Sequence, residues 1–223
     1  MSETQQFRLS KEPIIIKKEL EEKGYSIVEG ILTKDEIETY KELVYEWQKT
    51  IPNHDEVHSS CNPHNIYKFH EVSHQRFGWL IRTHPKVQEV FKKLWNTIEL
   101  ITSFDGSCYM PKELNKEDKL WTHTDQAPKS PNLECYQSFV ALTSNKERTL
   151  VVYEGSHKLH QSYFAEKGML KESKNWQLID EKYLEKIKDK KRVLEVKEGS
   201  IVLWDSRTFH QNQYGKPNSE ERI

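Results

Sequence analysis

Cysteine is scarce, and its scarcity excludes a stapled fold. Cys61, Cys108 and Cys135 are widely spaced and odd in number, which allows no disulfide framework and fits a reducing, cytoplasmic setting. Long apolar runs are also missing: no stretch of about 18 apolar residues occurs, so neither a membrane span nor a membrane partner is expected. Met1 to Ser10 is polar and lacks the apolar centre of a signal peptide. No excess of one charge exists, since 34 Lys and Arg meet 35 Asp and Glu for a net charge of −1. Without a long basic block, nucleic acid is not an expected partner. No internal repeat or low-complexity tract is visible.

Large apolar side chains are plentiful. Six Trp, ten Tyr and eight Phe in 223 residues can bury a substantial core, which argues against disorder and for one domain over 1–223. The N-terminal part, residues 1–97, reads as helix-rich. A helix is expected over 11–24, closed by Gly24 as a left-handed cap, and Tyr25-Ser26-Ile27-Val28 follows as a short strand. Thr33 and Glu36 form a capping-box pattern ahead of a helix whose Ile37, Tyr40, Leu43, Val44 and Trp47 recur at helical spacing. Residues 53–85 hold six of the ten histidines (His54, His58, His64, His70, His74, His84). Their spacing matches no structural zinc pattern, so the reading is a long loop with a short helix near a pocket mouth. Residues 85–97 read as another helix.

From residue 98 the apolar period changes from helical to alternating. Strands are expected at 98–104, 107–110, around 121–126, at 136–142, 149–153, 193–196 and 200–204, with a charged helical insertion near 160–190. Residues 98–223 thus read as a mainly β barrel or two-sheet jelly roll with appended helices. Binding loops ride on such scaffolds, so 53–84 and the 160–190 insertion are expected to form a lid.

The chemistry concentrates in Trp121-Thr122-His123-Thr124-Asp125-Gln126 and Phe209-His210-Gln211-Asn212. Side chains two apart on a strand share a face, so His123 and Asp125 can grip one ion. His210 would complete two histidines and one carboxylate, the set used by non-haem Fe(II) oxygenases, with positions left open for O₂ and a co-substrate. A keto-diacid bound through its keto-acid end leaves a distant carboxylate in need of a cation, and arginine offers a matching fork. Arg222 lies twelve residues past His210. Arg207, an odd number of residues before it, would face away on a regular strand.

Several ordered segments carry a resemblance. Gly24-Tyr25-Ser26-Ile27-Val28-Glu29-Gly30-Ile31-Leu32-Thr33, Leu150-Val151-Val152-Tyr153-Glu154-Gly155-Ser156-His157-Lys158, Gly199-Ser200-Ile201-Val202-Leu203-Trp204 with Phe209-His210, and Asn218-Ser219-Glu220-Glu221-Arg222 together resemble the phytanoyl-CoA dioxygenase family of Fe(II)/2-oxoglutarate oxygenases. Glu154 stands where that family commonly has proline. The resemblance implies a double-stranded β-helix, iron held by His123, Asp125 and His210, and Arg222 paired with the distal carboxylate of 2-oxoglutarate. It also implies a co-substrate or substrate role for Gln137, which shares strand parity with Phe139. The reaction implied is hydroxylation of a small molecule with decarboxylation of 2-oxoglutarate to succinate and CO₂.

Other readings stand beside this one. The scaffold could be a catalytically inactive jelly-roll module that binds a small molecule, since fold does not fix function, or it could host a metal-dependent isomerase or hydrolase. His157 reads as a structural turn residue and His160 as a surface residue, while Trp121 and Trp204 read as core or pocket wall. A monomer or weak homodimer is the default. Arg222 is the penultimate residue, and chain ends fray unless tied down.

Overall fold

The computed structural model describes residues 9–223. Residues 1–8, which make up most of the polar N-terminal stretch expected to hold no signal peptide, lie outside the described part.

The helix-rich start is α1 (Pro13–Lys23), β1 (Tyr25–Val28), α2 (Lys34–Lys49), α3 (His54–Cys61), β2 (Ile66–Tyr67), α4 (Arg76–Arg82) and α5 (Pro85–Trp95). The second part runs β3 (Ser107–Cys108), β4 (His123–Thr124), β5 (Tyr136–Val140), β6 (Leu150–Tyr153), α6 (His160–Glu166), β7 (Gln177–Leu178), α7 (Glu181–Lys186), β8 (Lys191–Val193), β9 (Ile201–Asp205) and β10 (His210–Asn212). The strands are shorter than expected, and helices occupy more of the described chain than strands do. "Mainly β" therefore applies to the second part of the chain.

Local signals act where they were read. Gly24 takes φ +85° and its N–H bonds back to Leu20. The position also has no room: a Cβ there would lie 2.6 Å from His157 Nδ1 and 2.7 Å from Thr208 Oγ1. Thr33 and Glu36 form the reciprocal capping box of α2. His84 caps α5 by accepting from the N–H of Lys86.

Two antiparallel sheets carry the site. One has strand order β1-β9-β5, the other β7-β4-β10-β6-β8. Strand β9 is buried along its whole length and shows why the layers stack. Ile201 and Leu203 join Val28, Tyr136 and Val140 in a cluster with the N-terminal helices. Val202 and Trp204 face the other way, into a cluster shared with Tyr25, Ile27 and Phe139 of their own sheet and Leu150 and Val152 of the other. With a side-chain period of two, one strand thus glues the helical layer on one face and the second sheet on the other.

Three expected elements differ. Residues 98–104 form no strand; Ile98, Ile101 and Phe104 are exposed, because no neighbouring strand pairs with them and alternation alone cannot supply hydrogen bonds. Residues 53–85 are no long loop but two helices, a strand and a short 3₁₀ turn, with Tyr67, Val72 and Phe77 in the core. The 160–190 insertion supplies β7, which pairs with β4 and so extends the sheet that bears His123.

The C-terminal residues do not fray. Arg222 forms a bridge with Met110, through bonds of 2.9 Å in both directions. Ile223 N donates to Thr143 Oγ1 at 2.9 Å, and Glu220 Oε1 accepts from the backbone N–H groups of Lys146, Glu147 and Arg148 at 2.6, 2.8 and 3.0 Å. Arg148 itself is fully buried, and its guanidinium staples the carbonyls of Lys112, Leu114 and Lys216.

Candidate metal centre

The three residues singled out from sequence converge. His210 and His123 are direct partners across the β10–β4 ladder, so both side chains leave the sheet on one face. His210 is likewise opposite Val152 of β6, whose side chain lies in the inter-sheet cluster; that face is the interior one. Asp125 sits just beyond β4, where its N–H donates to Ser206 O at 3.1 Å and the Thr124 hydroxyl donates to the same oxygen at 2.9 Å. The turn between β9 and β10 thereby sets the height of the carboxylate. One ligand atom from each of His123, Asp125 and His210 falls within 4.8 Å of the others. No other such group of three occurs among the described residues.

The imidazoles are held in one tautomer. His123 Nδ1 lies 3.1 Å from Trp121 O and His210 Nδ1 lies 2.8 Å from Thr208 O. A carbonyl can only accept, so each Nδ1 carries the proton and each Nε2 presents its lone pair inward, the outer-shell arrangement of metal-binding histidines. The Nε2 atoms stand 3.6 and 3.3 Å from Asp125 Oδ2. Two lone pairs and a carboxylate facing one point fit a divalent cation. Burial would raise the Asp125 carboxyl, but without a metal the facing His123 and His210 rings can take a second proton at Nε2, and that charge holds the carboxyl well below the usual carboxylate range. Burial lowers the His123 imidazole below its ordinary value, which favours the neutral, metal-binding form.

Gln137 is on β5, and its Nε2 donates to Asp125 Oδ2 at 2.9 Å. It therefore braces the carboxylate directly, a contact that strand parity alone did not reveal. Arg222 is buried, and its guanidinium makes no ion pair or side-chain hydrogen bond among the described residues; its Nη1 has no partner at all. Burial pulls that guanidinium below its ordinary value. The Phe139 ring lies 5.3 Å from the Arg222 Cζ. Phe139 lies 6.1 Å from Trp204, and Trp204 lies 5.4 Å from the His210 ring, so a run of aromatic neighbours leads from the unpaired cation to the triad. Arg207 is engaged elsewhere, paired to Asp205 at 2.7 Å and donating to Pro131 O.

Some neighbours were not legible beforehand. Trp121 stacks on His123 at 5.0 Å and on His64 at 3.9 Å, and it donates to Asn212 O. It thus braces the His123 ring and is more than a wall. Trp176, half-exposed on the insertion, lies 5.4 Å from His123. Gln126 accepts from Ser206 Oγ and Glu134 N while donating to Ser130 and Asn132 carbonyls, so it organises the loop beside Asp125. Its position next to the motif was the available signal. His160 is fully buried and bonds Gln126 O, which corrects the surface reading; α6 packs it against that loop. His157 bonds Glu21 O at 3.1 Å and is structural, as expected. Of the histidines of 54–84, His54, His58, His64 and His74 join aromatic contacts and His84 caps α5. No helix among the described residues is long and apolar enough to cross a membrane.

Known proteins resemble this chain in sequence or in fold. The chain is 30% identical over 157 residues to "Ava biosynthesis cluster protein O" of Aspergillus versicolor, which covers 65% of this chain and 51% of that protein. It thus spans about half the length of the curated relative it matches. Among solved structures, GlcNAc Inducible Gene 2 of Candida albicans superposes with a TM-score of 0.68 at 15% identity, over 94% of this chain and 61% of that one. EctD of S. alaskensis, solved with 2-oxoglutarate and 5-hydroxyectoine, gives 0.66 at 16% identity, over 98% and 76%. Such low identities speak to the fold alone. The model of the family described as phytanoyl-CoA dioxygenase matches residues 20–214, so the chain belongs to the phytanoyl-CoA dioxygenase family.

Proposed function

We propose that this chain forms the double-stranded β-helix core of a Fe(II)- and 2-oxoglutarate-dependent dioxygenase that hydroxylates a small molecule. The observation that carries the reading is Arg222: a buried guanidinium with no anionic partner, from which a run of aromatic neighbours leads to two imidazole nitrogens and a carboxylate. Burying a charge unpaired is costly, so a site that keeps one is built to receive an anion. The distal carboxylate of 2-oxoglutarate is such an anion, and a planar fork is its natural mate.

His123, Asp125 and His210 would hold the iron, leaving its remaining positions open. When bound, that iron would supply the activation of O₂ coupled to decarboxylation of 2-oxoglutarate to succinate and CO₂. The chain's own share is positional. The Trp121 and Thr208 carbonyls fix the ligand tautomers, Gln137 holds the Asp125 carboxylate, and Phe139 and Trp204 supply apolar surface on the same face of the sheet. The name of the curated relative, a biosynthesis cluster protein, supports a small-molecule substrate.

An anaerobic titration of metal-free protein with Fe(II) and 2-oxoglutarate tests the reading. A visible charge-transfer band should saturate at one equivalent, vanish in His210→Ala and weaken in Arg222→Ala. Folded wild-type protein that gives no band would leave the scaffold as a binding module.

A further inference from the structure

The interior carries two more orphaned polar atoms, and they are complementary. Gln137 and Trp204 are directly opposite each other across the β5–β9 ladder, so their side chains leave the sheet on the same face with Cβ atoms about 5 Å apart. That face is the interior one, since Trp204 lies 5.4 Å from the His210 ring and Gln137 touches Asp125. Gln137 Oε1 is buried without a partner, and so is Trp204 Nε1. The orientation of the Gln137 amide is fixed by its neighbour: only the NH₂ end can face a carboxylate oxygen at 2.9 Å, so Oε1 must face away. The indole nitrogen can only donate. One buried acceptor and one buried donor thus stand on the same face of neighbouring strands, and leaving either unmet is unfavourable.

A carboxylate could satisfy only the indole, and a hydrocarbon neither. A secondary amide or lactam presents N–H and C=O together and satisfies both. The mouth of the site adds a second feature. Leu178 of β7 is paired with His123 and therefore lies on the metal face, yet it is 54% exposed. Trp176, two residues earlier, is 37% exposed and 5.4 Å from His123. Beside His123 two apolar side chains are thus left exposed, while the β5–β9 face offers a matched polar pair.

We infer that Gln137 and Trp204 form the specificity-determining pair for an amide or lactam carried on an apolar, ring-bearing body. This rests on the oxygenase reading for what happens to that substrate, but not for how it is held. Gln137 Oε1 accepts the substrate N–H, Trp204 Nε1 donates to its carbonyl, and Trp176 and Leu178 cover the apolar remainder.

Three near-isosteric probes test the pair: dihydroquinolinone, its N-methyl derivative, which lacks the donor, and tetrahydroquinoline, which lacks the carbonyl. Binding is read twice, by tryptophan fluorescence of metal-free protein and by perturbation of the Fe(II)·2-oxoglutarate band. The lactam should bind at least about tenfold more tightly than either analogue, because each analogue leaves one buried group unpaired. Trp204→Phe keeps a ring and removes the N–H; it should erase the preference over tetrahydroquinoline and keep that over the N-methyl compound. Gln137→Met should do the reverse. Equal binding of all three probes, no binding to protein whose band forms, or a Trp204→Phe protein with unchanged preferences would overturn the inference and leave the oxygenase reading standing. Intact lactam preference without a band would instead overturn the oxygenase reading.

Discussion

Glu220 is the residue through which the C-terminal segment can be loosened without touching the metal. Its Oε1 accepts three backbone hydrogen bonds, from residues 146, 147 and 148, at 2.6 to 3.0 Å. Two residues later the chain places Arg222 against Phe139. Glu220→Ala removes the common acceptor of all three N–H groups. Hydrogen bonds to a charged group are worth about 1.5–3 kcal/mol each when shielded. These are partly exposed and share one oxygen, and water can replace part of what is lost, so a total near 2 kcal/mol is the reasonable figure. If that energy is what docks the segment, 2-oxoglutarate affinity should fall by up to about 30-fold, at 1.4 kcal/mol per factor of ten. Glu220→Gln keeps a neutral acceptor and should lose about half the free energy, since charge-assisted bonds are about twice as strong as neutral ones. The assay is the anaerobic charge-transfer band, titrated once with 2-oxoglutarate and once with Fe(II). His123, Asp125 and His210 are on or beside β4 and β10, so iron affinity should be unchanged. Parallel loss of both affinities would mean that Glu220 supports the whole fold. No change in either would mean that the bridge to Met110 and the contacts of Ile223 suffice alone.

Two further outcomes follow from local geometry and burial. Gly24→Ala should destabilise the protein by about 2 kcal/mol or more, because it combines a left-handed φ with a Cβ driven into His157 and Thr208; urea unfolding measures this, and a loss under about 0.5 kcal/mol would refute the close packing described. Burial lowers the imidazoles of His58, His157 and His160 below their ordinary value. A depressed folded pKa means that the unfolded chain binds protons first, so stability should be fully present above about pH 6.5 and decline as pH falls below it. Thermal unfolding across pH 5–8 checks the sign, and a melting temperature that rises on acidification would contradict it.

The sequence by itself determined what depends on near neighbours. Gly24 ends α1 and Thr33 with Glu36 starts α2 because caps are made within a few residues of chain. Strand periodicity put His123 and Asp125 on one face as an expectation, although β4 ends at Thr124 and the bonds of residues 124 and 125 to Ser206 O are what place the carboxylate; the candidate metal ligands and the family were legible because ligand chemistry restricts residue type. Tertiary structure decided everything that needed a partner from elsewhere. Ile98–Phe104 alternates like a strand but pairs with nothing and stays exposed. His160 resembles a surface histidine in its charged surroundings, yet α6 buries it on Gln126. Gln137 shows only a face in the sequence; the register opposite Trp204 and the reach to Asp125 come from the β5–β9 ladder. The penultimate Arg222 is fixed by Met110, Thr143 and residues 146–148, all distant in sequence. Hydrogen-bond partners across such distances leave no periodic trace in the chain, so only the assembled sheets could reveal them.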